Sequence, residues 1–448
     1  MLAVALPELR RDFGVGHAEI AWLVSAYLIA MAVAQPLGGR LGDQLGRAAV
    51  FRTGLLLFLA LSLAAAAAPN YPLLIASRTG QAVVGAAVIP NGFAMMRESV
   101  PVTHLGRSSG LTGSAMSAAA AVGPLLGAAL LSAGSWRLLF LTNVPLVLSG
   151  LLALHLLRYR AAKPVVRPTS LDWFGAGAFA AALAVITVLL NGLRGEGSTL
   201  FLTASAVAFP IVLAVFVRRQ FSAETPIAEW RLFRIRAYFG ATGYILLSNL
   251  VMYTTLLALP FFVEEVQGGG NLTSGTLLGA VSIPVALFAP IGGRLSDGFG
   301  RRPLVLVGSL LIAAATGALA AGVSREAPYV FLAALLGIMG IGLGLSTGPA
   351  GAAAVESTPR ELAGTAAGTN SMMRYVGSII GVGILGAVLN TDDGAPEVGL
   401  FRIVFAVLAV MAALGVACAL LVHRFPAEER PVPEAAPSVP GARAASAG

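Results

Sequence analysis

The chain has 448 residues, 57 % of them hydrophobic and only 11 % charged, where a soluble domain carries about 25 % charged residues. So few charges cannot cover a soluble fold of this length. The expected solvent is lipid, in which a helix satisfies its own backbone hydrogen bonds. The net charge of +8 fits loops that collect Lys and Arg on the cytoplasmic side of a membrane. Nucleic acid is not an expected partner, because no basic face is interleaved with aromatics.

A spanning helix needs about 20 mostly apolar residues. Thirteen stretches qualify, near 18–38, 49–68, 72–96, 108–133, 137–157, 173–193, 199–217, 238–262, 272–292, 303–322, 328–350, 362–389 and 402–422. Before the first lies MLAVALP, apolar but too short to span. No signal peptide is expected before these segments, because the first full helix can serve as the insertion signal. The tail from about 426 is rich in Pro, Ala, Gly and Ser without apolar periodicity, which reads as disorder.

Charge placement supports the alternation of sides. With the 38–48 connection in the cytoplasm, the opposite face receives only Arg10, Arg11, Arg137, Arg194, Arg325 and Arg402 of the 29 Lys and Arg, while Arg78 and Arg374 fall inside helices. This asymmetry is the positive-inside pattern.

The solitary Cys418 excludes an internal disulfide and a thiolate metal site. His17, His104, His155 and His423 are scattered, so no metal is expected. Paired carboxylates or a Ser/His/Asp set, the marks of an enzyme, are not found within the spans.

One phrase occurs twice. GGRLGDQLGR fills 38–47 and GGRLSDGFGR fills 292–301, identical at seven of ten positions. Gly38, Gly39, Gly42 and Gly46 permit close backbone approach and positive φ. Asp43 and Arg47 are four apart and can pair across one helical turn, or Asp43 can meet the dipole of the next helix. The same logic covers Gly292, Gly293, Asp297, Gly300 and Arg301. Two copies at matching places indicate two related halves, as in many secondary transporters. The phrase lacks the GK[ST] end of a phosphate-binding loop, so no nucleotide cofactor is expected.

The pattern G-x-L-x-D-x-x-G-R resembles the signature loop of the major facilitator superfamily. Gly39, Leu41, Asp43, Gly46 and Arg47 match it, as do Gly293, Leu295, Asp297, Gly300 and Arg301. WLVSAYLIA (22–30), SWRLLFLTNVP (135–145), LDWFGA (171–176) and EWRLFRIRAYF (229–239) are similar to its fourteen-helix drug:proton antiporter branch. The resemblance implies that Gly39, Asp43, Gly46, Arg47, Gly293, Asp297, Gly300 and Arg301 form the gate.

Two further motifs carry the likeness. AAAAVGPLLGAAL (118–130) resembles the family's antiporter motif, with Gly123, Pro124 and Gly127 matching and Ala119 and Ala128 in place of outer glycines. Small residues let helices approach closely and proline kinks them, which suits a rocking interface or plain packing. SRTGQAVVGAA (77–87) resembles the family's helix-four motif. Arg78 and Gln81 match, and the resemblance implies a part in proton coupling. An arginine inside a span is costly without a partner or water.

Other polar residues are candidates for a substrate cavity or for interhelical bonding: Tyr27 and Gln35 on one face, Asn249 and Tyr253 on another, and Asn370, Arg374 and Tyr375 in NSMMRYVGSIIG. Glu264 and Glu265 read as a solvated rim or a titrating pair.

The expected fold is therefore an all-α polytopic membrane protein of the major facilitator type. Two pseudo-repeated six-helix bundles flank two extra central helices, with 13 full helices present. The N-terminal bundle occupies 1–160, the linker with the extra helices 161–236, the C-terminal bundle 237–425 and the tail 426–448. Family sequences open with a helix carrying Asp and Asn before Ala-Leu-Pro. Only Ala5-Leu6-Pro7 is present here, so a longer reading frame upstream is expected. The resemblance implies a monomeric antiporter in a bacterial cytoplasmic membrane, driven by the proton gradient and exporting drugs or other amphipathic small molecules. The alternatives are a dedicated exporter of one metabolite or self-made antibiotic, and a non-transporting sensor with the same fold.

Overall fold

A computed structural model describes residues 2–99, 115, 119, 122–156, 172–192, 199–223, 229–359, 362–389 and 397–423. All regular secondary structure among these residues is helical. The helices are α1 (Leu2–Phe13), α2 (His17–Leu45), α3 (Arg47–Ala66), α4 (Tyr71–Ser99), α5 (Val122–Ser132), α6 (Arg137–Leu141), α7 (Asn143–Leu156), α8 (Trp173–Gly192) and α9 (Thr199–Ser222). They continue with α10 (Arg236–Phe261), α11 (Asn271–Phe299), α12 (Arg301–Gly322), α13 (Tyr329–Glu356), α14 (Ala363–Leu389) and α15 (Val398–Leu420). Twelve spans among the described residues are long and apolar enough to cross a membrane, α6 and α7 together forming one. Of the predicted span 108–133, the described part is the shorter helix α5 with residues 115 and 119. The 426–448 tail and parts of the predicted linker lie outside the described residues.

Two helical groups share a packing plan. In the first, α4 packs on both α2 and α3. In the second, α13 packs on both α11 and α12, while α10 packs on α14 and α15. The groups meet along α2 and α14, and α8 lies against both of those helices. Asp172 fixes α8 locally: its Oδ1 accepts from the Gly175 N–H at 2.9 Å and from Arg219 Nε of α9 at 2.9 Å.

The repeated phrase is more helical than expected. It continues α2 and α11 for two further turns, and the chain breaks only at its last glycine. Gly46 (φ 92°) and Gly300 (φ 87°) hold the positive φ, which a side chain resists. The earlier glycines serve close approach instead: a Cβ on Gly38 would lie 2.5 Å from the Ala87 Cα of α4, and one on Gly292 would lie 2.5 Å from the Leu345 carbonyl of α13.

The second group is held just as tightly. A Cβ at Gly377 of α14 would lie 2.0 Å from the backbone carbonyl of Leu246 on α10, and backbone cannot yield as a side-chain tip can. Overpacking of this kind costs about 1–3 kcal/mol. Gly377→Ala is expected to lower the melting temperature of the purified protein by several degrees. Gly317→Ala on α12, where no atom lies within 4 Å, is expected to leave it unchanged. Equal melting curves would refute tight α10–α14 packing.

Candidate functional site

The two phrase copies build two equivalent clasps on the arginine-rich face. Arg47 donates through Nη1 to Glu98 Oε1 at 2.7 Å, joining the start of α3 to the end of α4. Arg301 donates to Glu356 Oε1 at 3.0 Å, joining the start of α12 to the end of α13. Arg301 also reaches Asp297 Oδ1 at 2.7 Å and Ser296 Oγ at 2.5 Å. The expected i,i+4 pair therefore exists in the second copy. In the first, the Asp43 side chain lies outside the described residues. Sequence reasoning missed Glu98 and Glu356, whose common role is visible only once the halves are superposed by their repeat.

Arg78 of α4 sits in a polar nest inside the first group. Its Nη1 donates to Gln81 Oε1 at 2.9 Å, and Gln81 Nε2 passes the chain on to Ser62 Oγ at 2.8 Å. Asn143 Nδ2 reaches the same Ser62 Oγ at 3.3 Å. The guanidinium lies over the Tyr27 ring, 4.3 Å from its centroid, while its Nε is buried without a hydrogen-bond partner. Stacking on an aromatic face compensates part of the lost hydration of a cation.

Tyr27 also belongs to a group at the seam between the halves. Tyr253 of α10 and Tyr375 of α14 lie within electrostatic reach of Tyr27 and of Arg374. Tyr27 and Tyr375 pack together against Met31, Ala82 and Ala86. The structure thus brings together Tyr27, Tyr253, Arg374 and Arg78. Gln35 is half-buried two turns further along α2. Asn249 is buried and donates to the Ile245 carbonyl of its own helix at 2.8 Å. Asn370 is buried with its Oδ1 unpartnered.

The antiporter motif faces the other half. Gly123, Pro124, Gly127 and Ala128 are buried, and a Cβ on Gly275 of α11 would lie 2.3 Å from the Ala128 Cβ. Ala128, which replaces a family glycine, fills this contact because Gly275 supplies the missing space.

At the arginine-poor face, α1 forms a strap over the seam. Val4, Ala5, Leu6 and Leu9 are fully buried. Trp136 Nε1 donates to Asp12 Oδ2 at 2.8 Å, and the Phe13 ring packs tilted against Trp136, centroids 5.5 Å apart. From this strap Arg10 Nη2 donates to Glu265 Oε1 at 2.6 Å, Arg11 pairs with Glu264, and His17 Nε2 lies 3.1 Å from Glu265 Oε2. Glu264 and Glu265 sit in the π-helical turn Phe262–Val266 that ends α10. The side chain of Glu265 is only 8 % exposed, so the pair is not the solvated rim its sequence permits. These contacts cross from one half to the other. Of the ion pairs described at the opposite face, Arg47–Glu98 joins α3 to α4 and Arg301–Glu356 joins α12 to α13, while Arg219–Asp172 joins α9 to the start of α8. Burial, then the neighbouring Asp12, raises the pKa of Glu8 above the usual carboxylate value.

The profile of the Major Facilitator Superfamily matches residues 1–282 and 245–446. This chain belongs to that superfamily. Its fold is that of a multi-pass membrane transporter. The MFS-type transporter YvkA of Bacillus subtilis (strain 168) is 31 % identical over 93 % of this chain and 91 % of its own length. A multidrug resistance protein B homolog of Mycobacterium tuberculosis (strain ATCC 25618 / H37Rv) is 30 % identical over 89 % of this chain and 74 % of its own. Among solved structures, a POT family transporter in complex with 5-aminolevulinic acid superposes with a TM-score of 0.68, covering 90 % of this chain and 88 % of that one, at 14 % identity. A D-xylose-proton symporter gives 0.64, covering 91 % and 88 %, also at 14 % identity. At these identities the two structures speak for the fold alone. They agree with the two-group packing around α2 and α14.

Proposed function

We propose that this superfamily member exports amphipathic small molecules in exchange for protons, as part of the fourteen-helix drug:proton antiporter branch. It works in a bacterial cytoplasmic membrane with its arginine-rich face inside. The observation that carries the reading is the closure of the arginine-poor mouth by ion pairs that cross between the halves, Arg10 and His17 of one meeting Glu265 of the other. Rocking about the α2–α14 and α5–α11 contacts exchanges which mouth is closed, as alternating access requires. The multidrug resistance name of the mycobacterial relative supports amphipathic cargo, and α8 and α9 supply the additional central pair.

The charges at that mouth support proton linkage. Glu8, Asp12, Glu264 and Glu265 gather there against Arg10, Arg11 and His17. The raised pKa of Glu8 means that the closed mouth holds its proton more firmly than water does. Opening that hydrates Glu8 returns it toward the ordinary carboxylate pKa, so closure is favoured at low pH and that advantage is lost as pH rises through the raised value. Arg78, Gln81 and Tyr27 place a second charge-bearing group close to the central seam.

The test uses the full chain in proteoliposomes acidified inside, with a dansyl-labelled amphipath outside. Accumulation at least about tenfold above a protonophore control is expected, a ratio equivalent to about 1.4 kcal/mol of driving force. Uptake at the same rate with and without the gradient would reduce the protein to a passive facilitator and refute antiport.

A further inference from the structure

The charges around the central seam favour one sign of substrate. Arg374 lies eleven residues into α14, about 16 Å along the helix axis, and its side chain is exposed. Within electrostatic reach are Tyr253 of α10 and Tyr375 of its own helix, with Tyr27 of α2 beside both. These residues lie where the halves meet, so the exposed guanidinium faces the seam and not the lipid, where a bare charge is strongly disfavoured. Among the described residues that guanidinium has no ion-pair or hydrogen-bond partner. Arg78, also unpartnered at its buried Nε among the described residues, lies over the Tyr27 ring, 4.3 Å from its centroid.

No Asp or Glu of α2, α4, α10 or α14, the helices that carry these arginines and tyrosines, lies in the middle of its helix to offset the two cations. α10 and α14 contain no Asp or Glu, and those of α2 and α4 (Glu19, Asp43 and Glu98) lie in the first or last turn. A cationic amphipath placed here would meet like charge in a medium of low effective dielectric. An anionic one would find a guanidinium fork with no partner among the described residues, which matches carboxylate and related oxyanions, beside three aromatic rings for its apolar body. The buried Asn370 Oδ1, one turn before Arg374, has no partner and offers an acceptor to a donor on the same ligand.

We propose that the central site selects amphipathic organic anions, with Arg374 as the charge anchor and Tyr27, Tyr253 and Tyr375 as the apolar cradle. This rests on the transport reading above and adds the substrate's charge class to it.

Three probes with one body test it: dansyl-undecanoate, its carboxamide, and the matched dansyl-undecyl trimethylammonium. Binding to the purified full chain in nanodiscs is measured with no pH gradient. The carboxylate is expected to bind at least about tenfold more tightly than the ammonium probe. Arg374→Gln is expected to abolish that ratio while the carboxamide's affinity stays within about twofold, which also shows that the variant is folded. Arg374→Lys is expected to keep part of the preference, because it retains charge without the fork. A ratio near one in the wild type, a preference for the ammonium probe, binding of none of the three, or a ratio unmoved by Arg374→Gln would each overturn the proposal. Adding the gradient in proteoliposomes separates the two readings. Anion-selective binding with gradient-independent transport defeats antiport alone, and gradient-driven transport that favours the ammonium probe defeats the anion site alone.

Discussion

Glu265→Gln is expected to open the arginine-poor mouth. Its carboxylate is 8 % exposed and takes Arg10 at 2.6 Å and His17 at 3.1 Å. Removing one partner of a buried pair costs about 3–5 kcal/mol, but Arg10 is 27 % exposed and water screens part of the loss. About 2 kcal/mol remains, a roughly 30-fold shift between closed and open mouths. The amide keeps the shape of the carboxylate, so the shift reports charge and not packing. Spin labels at Asn70→Cys and Leu272→Cys, in a Cys418→Ser background, bracket the mouth from either half. Their distance distribution by double electron–electron resonance should gain a long component in Glu265→Gln. The swap Arg10→Glu with Glu265→Arg should remove it again. An unchanged distribution in Glu265→Gln would show that apolar packing of α1, and not this pair, closes the mouth. The same labels read the pH response: lowering pH through the raised range of Glu8 should narrow the wild-type distribution toward the closed distance.

Arg301→Ala should have the largest effect at the opposite face. The Arg301 side chain is 15 % exposed and ties Ser296 and Asp297 of α11 to Glu356 of α13. Hydrogen bonds to charged groups contribute about 1.5–3 kcal/mol each. Asp297 is 65 % exposed and Glu356 35 %, so solvent screening reduces the total to about 2–4 kcal/mol. Transport should fall by more than about 30-fold, with a clear loss of thermal stability. Arg301→Lys should recover only part, because an ammonium cannot present the bidentate fork that reaches both oxygens of Glu356. Arg47 and Glu98 are each about one-third exposed, so Arg47→Ala is expected to cost less in stability than its counterpart. Equal losses at both clasps would refute burial as the reason for the difference.

Much of the site is legible in the chain because its signals are local. Arg78 and Gln81 are three apart on one helix, and their hydrogen bond needs only helical geometry. Asp297 and Arg301 are four apart and pair for the same reason. Less legible is the role of the phrase glycines. Gly38 and Gly46 look alike in sequence, yet one admits α4 and the other turns the chain, a division set by where α2 ends. The antiporter motif shows the same limit. Ala128 reads as a defect until Gly275 is found against it.

By itself, the sequence determined that this protein lives in lipid, that it is built from apolar helices, that it contains a repeat, and that its charges are asymmetric between faces. Those properties depend on composition and on periods of a few residues, which any local window contains. Tertiary structure alone decided the partnerships. Arg47 meets Glu98 across 51 residues, Arg301 meets Glu356 across 55, and Arg10 meets Glu265 across 255. It also decided that Arg374 faces a seam with no carboxylate beside it among the described residues. A charge in a sequence has a sign but no neighbours; in a medium that cannot solvate it, the neighbours set what it binds and what it holds closed.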